Sequence, residues 1–474
     1  MEAQHPVAID GIFNNVGESG WPKSRENAKG AAAGVFVASP SKVNPNYYYT
    51  WTRDSAIAIK ALVDDFLANE TPKVEEQIRI YIDAQAMIQN ITTPSGSTCD
   101  GGLGETRFQV NMTATNDDWP RPQRDGPALR VTALVAYGRY LLDTKQEHAA
   151  KTKIWPIVQN DLAYVSENWN KSTYDLWESI ESSSMFATAV QYRALVEGNG
   201  FAASIGEKCP NCESQAPQVL CFLQSYWNGK YMIANTGGGR SGIDVPSILA
   251  SIHVFDPEAP CDDTSFQPCS EKALANHKIV TDSFREIFPM NKDVPAHKAV
   301  AVGRYPEDEY MGGNPWYLSN FAAAEQIYDA LAQWKRQGKI VITEVSYPFW
   351  QVHNSTAQLG TFESYTQDFK NMIEMIGSYA ENFMEVARKF TPSDGSLTEQ
   401  FDKNNGKPQS ARDLTWSYAA FISAYNARKG ALPASWAAGQ SKEILPSECA
   451  PTSAKGACSP PMKMDWPLND RNSK

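Results

Sequence analysis

The residues whose types could do chemistry begin with Tyr174-Asp175-Leu176-Trp177-Glu178-Ser179. One carboxylate there stands beside a large indole, ahead of an apolar run from Ile180 to Ala194. A carboxyl held against an aromatic wall is poorly solvated when ionised, so it is expected to keep its proton to higher pH and donate it near neutrality. A general acid for glycosidic bond cleavage needs that property. The plainer reading of Glu178 is a helix-start glutamate favoured by the macrodipole. The same chemistry requires a second, ionised carboxyl across the scissile bond. Its candidate is Glu399, in Asp394-Gly395-Ser396-Leu397-Thr398-Glu399-Gln400-Phe401-Asp402, a loop followed by Ser410-Ala411-Arg412-Asp413-Leu414-Thr415-Trp416. A loop glutamate is ordinarily a solvated surface charge. Nothing in the spacing brings Glu178 and Glu399 face to face.

The elements that must position these residues are helical. Residues 1–50 are rich in Gly, Pro, Asn and Ser and read as loop with a short initial helix. After Asn46-Tyr47-Tyr48-Tyr49-Thr50-Trp51-Thr52-Arg53-Asp54 a helix pattern carries Ile57, Ile59, Leu62, Val63 and Phe66, and a second runs over about 72–91. The stretch 93–125 is long for a connector and rich in Gly, Pro and Asp, so it is a candidate site loop. Three- and four-residue periodicity then predicts helices near 126–144, 149–169, 184–206, 217–228, 243–255, 270–288, 315–337, 343–353, 363–390 and 413–429, with almost no strand alternation. Several are apolar on more than one face, as in Phe321-Ala322-Ala323-Ala324 with Ile327, Tyr328 and Leu331. Such helices lie inside a larger assembly. About a dozen helices, half of them strongly apolar, suggest two concentric rings of six. A solenoid would show a fixed-length repeat, and none is evident.

Composition narrows the partners. The 474-residue chain is 42% hydrophobic and 20% charged, which is ordinary for a folded soluble protein. A net charge of −11 argues against nucleic acid and anionic membranes. No apolar run is long enough to cross a bilayer. The N-terminus lacks the basic-then-apolar pattern of a signal peptide. Eight cysteines, Cys99, Cys209, Cys212, Cys221, Cys261, Cys269, Cys449 and Cys458, suit a secreted disulfide-bonded chain. Cys209-Pro-Asn-Cys212 has no second CxxC and no spaced histidine pair, so a small disulfide loop is preferred to zinc. Sequons at Asn90, Asn111, Asn170 and Asn354 are compatible with secretion and N-glycans. From about residue 431 the composition shifts to Pro, Ser, Ala and Lys, a tail that Cys449 and Cys458 would pin.

Read together, the blocks NYYYTWTRDS (46–55), RPQRDGPALR (121–130), YDLWES (174–179), QYRALVEG (191–198), VGRYPEDEY (302–310), GNPWYL (313–318) and SARDLTWSYAA (410–420) resemble the fungal glucoamylases, which are inverting exo-acting α-glucosidases. The resemblance covers about residues 8 to 450. It implies an all-α fold, a single (α/α)6 barrel over residues 1–450 with a pocket at one end, trailed by a tail at 451–474. It implies a starch or malto-oligosaccharide substrate, β-glucose as product, a monomer, and no cofactor or metal. By position in these motifs Glu178 resembles the family's general acid and Glu399 its general base. Arg53, Asp54 and Arg304 resemble groups that grip sugar hydroxyls, and the Leu176 carbonyl a backbone acceptor. Trp119 is similar to an indole that stacks beyond the cleavage point. Tyr47, Trp51, Trp177, Tyr305, Tyr310, Trp316 and Trp416 resemble pocket walls. Gln400 falls beside the base, and Ser410 is similar to a hydroxyl that bonds it. An Arg next to an Asp offers a fork of donors beside an acceptor, which suits adjacent hydroxyls, although a buried structural ion pair has the same signature.

Some features depart from the family. Ser179 stands where fungal glucoamylases usually carry a second glutamate on the leaving-group side, so linkage preference is open. The family's pairings join Cys209 to Cys212, Cys221 to Cys449 and Cys261 to Cys269, which leaves Cys99 and Cys458 bonded to each other or free. The first helix looks clipped, and no starch-binding domain follows. Trehalases share the implied architecture but match these blocks less well. A non-catalytic sugar-binding relative would not need both glutamates. A helical terpene cyclase would need a longer Asp-rich motif than Asp64-Asp65, Asp117-Asp118 or Asp262-Asp263 supplies. Gly237-Gly238-Gly239-Arg240 is not followed by the Lys-Ser/Thr of a phosphate loop.

Overall fold

A computed structural model describes residues 1–69 and 71–461. The part of the predicted tail at 462–474 lies outside the described residues. Among those residues, six helices form a closed inner ring: Thr52–Asn69, Gly126–Asp143, Met185–Ser204, Pro246–His253, Tyr317–Gln337 and Thr415–Lys429. Each packs on the next, and the last packs back on the first. An outer helix covers each inner one in turn: Pro72–Gln89, Trp155–Asn168, Cys212–Leu223, Glu271–Asp282, Gln367–Phe390 and, over the last, the N-terminal Gln4–Asn14. The two expected rings are therefore present, alternating outer and inner along the chain.

The apolar patterns explain which helix goes where. Tyr317–Gln337 buries residues on every side, and its Ala322-Ala323-Ala324 run lets neighbouring inner helices approach closely. Gln367–Phe390 buries only one stripe, Phe369, Met372, Ile376, Tyr379-Ala380, Phe383-Met384 and Ala387, as a helix covering the barrel from outside must.

Several boundaries differ from the periodicity. The helix expected from 217 begins at Cys212, directly after a disulfide turn, and carries Pro217 inside it. The helices expected over 343–353 and 363–390 start later, at Tyr347 and Gln367, because Lys339–Ile342 pairs antiparallel with Gly360–Glu363. Ile340 and Ile342 face inward there, while Lys339 and Val341 are exposed. Four residues give too short an alternation to stand out beside long helices. Glu178 is not at a helix start: the next inner helix begins at Met185, capped by Ser184.

All eight cysteines are paired. Cys209–Cys212, Cys221–Cys449 and Cys261–Cys269 form as the resemblance implied, and Cys99 bonds Cys458. The tail is thus tied at two points to the barrel, one of them in the 93–125 loop. Ala454 N–H bonds Ser166 O at 3.0 Å, and Asn90 Nδ2 donates to Pro461 O at 2.9 Å. No helix among the described residues is long and apolar enough to cross a membrane.

Candidate active site

The segments that precede the inner helices converge at one end of the barrel. Residues 173–182 form a hairpin, with Thr173–Tyr174 paired to Glu181–Ser182. Asp175 holds its turn together: Oδ1 accepts the N–H groups of Ser179 and Ile180 at 2.8 and 2.9 Å, and its carbonyl accepts Glu178 N–H at 2.9 Å. The turn leaves Glu178 at φ +63°. A left-handed backbone at a non-glycine residue costs about 1–3 kcal/mol and tends to be kept where a side chain must be aimed. The carboxylate it aims accepts hydrogen bonds on both oxygens. Trp51 Nε1 and Gln123 Nε2 donate to Oε1 at 2.6 and 3.0 Å, and Trp119 Nε1 donates to Oε2 at 3.0 Å. The aromatic wall is therefore supplied by distant indoles through their N–H groups. The adjacent Trp177 turns the other way, its Nε1 donating to Asp244 at 2.9 Å.

Glu399 arrives on a separate segment, ahead of the last inner helix. Its N–H bonds Ala411 O at 2.8 Å, and Gln400–Phe401 pairs with Pro408–Gln409. That pairing folds Ser410 back onto Glu399 Oε2, where its hydroxyl donates, joined by Gln400 Nε2 at 3.0 Å. Ser410 also sits at φ +63°. Glu399 is only 1% exposed, so it is no solvated surface charge. Burial pushes its carboxyl up to about 7, while donors from Ser410 and Tyr47 and the charge of Arg304 pull it the other way.

Arg53, Asp54 and Arg304 line the same space as the two carboxyls. Arg53 is buried, held by Gln123 Oε1 at 2.7 Å and Asp125 Oδ2 at 3.1 Å, with Nη2 3.5 Å from Glu178 Oε1. Its Nε and Asp54 Oδ2 lie 3.5 Å apart without hydrogen-bond geometry, and neither has another partner. Burial raises Asp54 to about 6 against the pull of Arg53. Arg304 makes a two-pronged bond to Asp308, 2.9 and 2.5 Å, and its guanidinium lies 4.9–5.3 Å from the rings of Tyr310, Trp316 and Trp177.

One cavity brings most of these groups together. Tyr47, Trp51, Arg53, Asp54, Leu176, Trp177, Glu178, Arg304, Trp316, Glu399 and Trp416 line it, with Ala38 and Leu414. It holds about 450 Å³ of empty space counted to its open mouth. Trp119, Tyr310, Gln400 and Ser410 stand one layer back, bonded to Glu178, Tyr47 or Glu399. Tyr305 is not a wall of this space; its ring lies 3.7 Å from the Arg240 guanidinium. Trp119 has one face covered by Arg107 at 3.5 Å.

Sequence reasoning missed the supports. Gln123 bridges Arg53 to Glu178, Asp125 anchors Arg53, Asp308 fixes Arg304 and Asp244 fixes Trp177. Gln123 and Asp125 lie in the RPQRD block and Asp308 in VGRYPED, so the recognised blocks held them without revealing their partners.

Known proteins resemble this chain over nearly its whole length. Residues 7–426 match the profile of glycosyl hydrolases family 15. The chain is 52% identical over 461 residues to Glucoamylase-1 of Arthroderma benhamiae, spanning 97% of this chain and 74% of that one. It is 47% identical to a glucoamylase of Neurospora crassa, spanning 99% and 74%. The solved family 15 glucoamylase of Hypocrea jecorina superposes with a TM-score of 0.95 at 46% identity, covering 98% of this chain and 78% of the other.

Proposed function

The chain belongs to glycosyl hydrolase family 15, and from that premise we propose that Glu178 and Glu399 carry out an inverting hydrolysis at the non-reducing ends of α-glucans. The enzyme is an exo-acting glucan 1,4-α-glucosidase, a glucoamylase in activity; the trehalase and non-catalytic readings are not favoured by relatives of this kind. The observation that carries the mechanism is the pair of carboxyls lining one cavity beside the unpartnered Arg53 Nε and Asp54 Oδ2. A terminal glucose supplies hydroxyls that donate to Asp54 and accept from Arg53 and Arg304. Glu178 gives its proton to the glycosidic oxygen as the bond to the anomeric carbon breaks. A water on the opposite face attacks that carbon and passes its proton to Glu399. The released sugar is β-glucose, and a shortened chain leaves with the protonated oxygen. Product analysis on maltoheptaose checks exo action: glucose and maltohexaose are expected at the first time points, and early maltotriose or maltotetraose would refute it.

The pair works with one proton between its two carboxyls. Turnover falls at low pH as the buried Glu399 takes up a proton, and at high pH as the one proton left on the pair is lost. Activity is therefore expected to peak on the acid side of neutrality; a maximum above pH 8 would exclude the pairing. Ser410 gives the sign of a further test. Its hydroxyl favours ionised Glu399, so Ser410→Ala raises the Glu399 pKa. The kcat/KM bell is expected to move to higher pH by roughly half a unit to one unit. A bell that stays in place or moves to lower pH removes Ser410 from this role.

Ser179 is exposed, and its Oγ accepts from Arg240 Nη2 at 2.9 Å. A glutamate there would add a charged acceptor on the leaving-group side, worth about 1.5–3 kcal/mol where the bond forms. Ser179→Glu is expected to raise kcat/KM on maltose; unchanged kinetics would show that this position does not touch that sugar.

Residues 1–450 act as the catalytic unit with 451–474 as an appended tail, and the enzyme works as a monomer without cofactor or metal. Secretion, with N-glycans at Asn90, Asn111, Asn170 or Asn354, fits the four disulfides, which persist in oxidising compartments.

A further inference from the structure

Arg107 is a buried cation that does not line the catalytic pocket; it is 2% exposed. Its strand, Arg107–Gln109, pairs antiparallel with Tyr49–Trp51, and the register sets Arg107 directly opposite Trp51. Cross-strand partners share a face, as do residues two apart on one strand, so Trp51 and Tyr49 both flank its side chain. The guanidinium carbon lies 4.0 Å from the ring centre of Tyr49 and 5.2 Å from that of Trp51. The 93–125 loop brings a third ring, Trp119, at 3.5 Å. All three are within the reach of about 6 Å over which a cation attracts an aromatic face. Asp117 Oδ2 pairs with Arg107 Nη2 at 2.5 Å, and Arg121 lies 3.8 Å from the other oxygen of Asp117.

Two of the three rings have a second task. Trp51 Nε1 and Trp119 Nε1 donate to the two oxygens of Glu178, one each, at 2.6 and 3.0 Å. One buried charge therefore lies against both indoles that hold this carboxyl. A cation over an indole face draws on its π electrons and leaves the N–H more positive, hence a stronger donor. A stronger donor favours the ionised form of the carboxyl that accepts from it. The other charged and titratable groups that face Glu178 come from elsewhere: Arg53 with Nη2 at 3.5 Å, Asp54, Tyr47, and Arg304 and Glu399 in the same cavity. Asp175 holds the turn of its own hairpin. We propose that Arg107 is a positioning residue for the general acid: its charge on the faces of Trp51 and Trp119 strengthens their N–H bonds to Glu178 and makes that proton easier to give up. The inference rests on the reading of Glu178 as the acid.

The test is the pH dependence of kcat/KM on maltotriose. Arg107→Met keeps an apolar stem between the rings and removes the charge. At least one limb of the bell is expected to move to higher pH by roughly half a unit, and neither limb to lower pH. Loss of packing alone would lower the rate with both limbs in place. Arg107→Lys keeps a cation and is expected to keep the wild-type bell; a bell displaced as far as that of Arg107→Met removes charge as the cause. In Trp119→Phe one of the two N–H groups is already gone, so adding Arg107→Met is expected to shift the bell less than it does in the wild type. An equal shift in both backgrounds means that the charge acts through space and not through the indoles, and overturns the proposal. So does a bell that Arg107→Met leaves in place or moves to lower pH. Should Arg107→Met not fold, Asp117→Asn decides, since Asp117 is 46% exposed. The guanidinium without its neutralising partner is expected to move the bell to lower pH, and an unmoved bell overturns the proposal. Near-normal kcat in Glu178→Gln marks a different failure, that of the catalytic reading, and takes this inference with it. An unmoved bell beside an inactive Glu178→Gln sinks this inference alone.

Discussion

Glu178→Gln is expected to lower kcat on maltotriose by roughly 10²- to 10⁴-fold, the usual worth of a positioned general acid, with KM nearly unchanged. The amide has no proton to give to the glycosidic oxygen, so the leaving sugar must depart as an alkoxide. Binding is expected to be largely spared, because in the proposed complex Arg53, Asp54 and Arg304 grip the terminal glucose through bonds that Glu178 does not make. Arg53 is anchored independently by Gln123 and Asp125. A modest local cost is built in: the amide NH₂ turned toward Trp119 Nε1, now 3.0 Å from Oε2, sets donor against donor. Changing the leaving group isolates the role. α-Glucosyl fluoride departs as fluoride and needs far less protonation, so the variant should lose much less on it than on maltotriose. Equal losses on both substrates, or near-normal kcat on maltotriose, contradict the assignment.

Glu399→Gln gives the complementary pattern. The loss is again expected to be roughly 10²- to 10⁴-fold, but now similar on maltotriose and on glucosyl fluoride, because the attacking water must be deprotonated whichever group leaves. The isosteric amide can keep the contacts of Glu399 with Ser410 and Gln400 through its oxygen. A drop in turnover therefore reports the lost base and not a collapsed loop. If fluoride hydrolysis survives in this variant, Glu399 is not the base.

Periodicity made the barrel legible because most of its helices are long and each buries a stripe or a full surface. Tyr317–Gln337 and Gln367–Phe390 announce inner and outer positions by how many faces are apolar. What periodicity could not show was short or distant. The Lys339–Ile342 hairpin has too few residues to carry an alternation signal. The indole beside Glu178 in sequence, Trp177, is not the one that bonds it. Trp51 and Trp119 do so from 127 and 59 positions away, and no local pattern encodes such a meeting. Gln123 and Asp125 read as ordinary polar loop residues until Arg53 is placed beside them. The bond between Cys99 and Cys458 spans 359 positions and was equally open before the fold was seen. The matched motifs supplied the catalytic candidates; the structure supplied their supports.

The account rests on two acidic groups facing one sugar from opposite sides, with a water between the second group and the anomeric carbon. A proton NMR time course on maltotriose tests this most directly. The anomeric signal of newly released glucose should appear first as the β form and drift toward the α form only by mutarotation. Glucose released first as α would mean retention at the anomeric carbon, and would contradict Glu399 as a base acting on water.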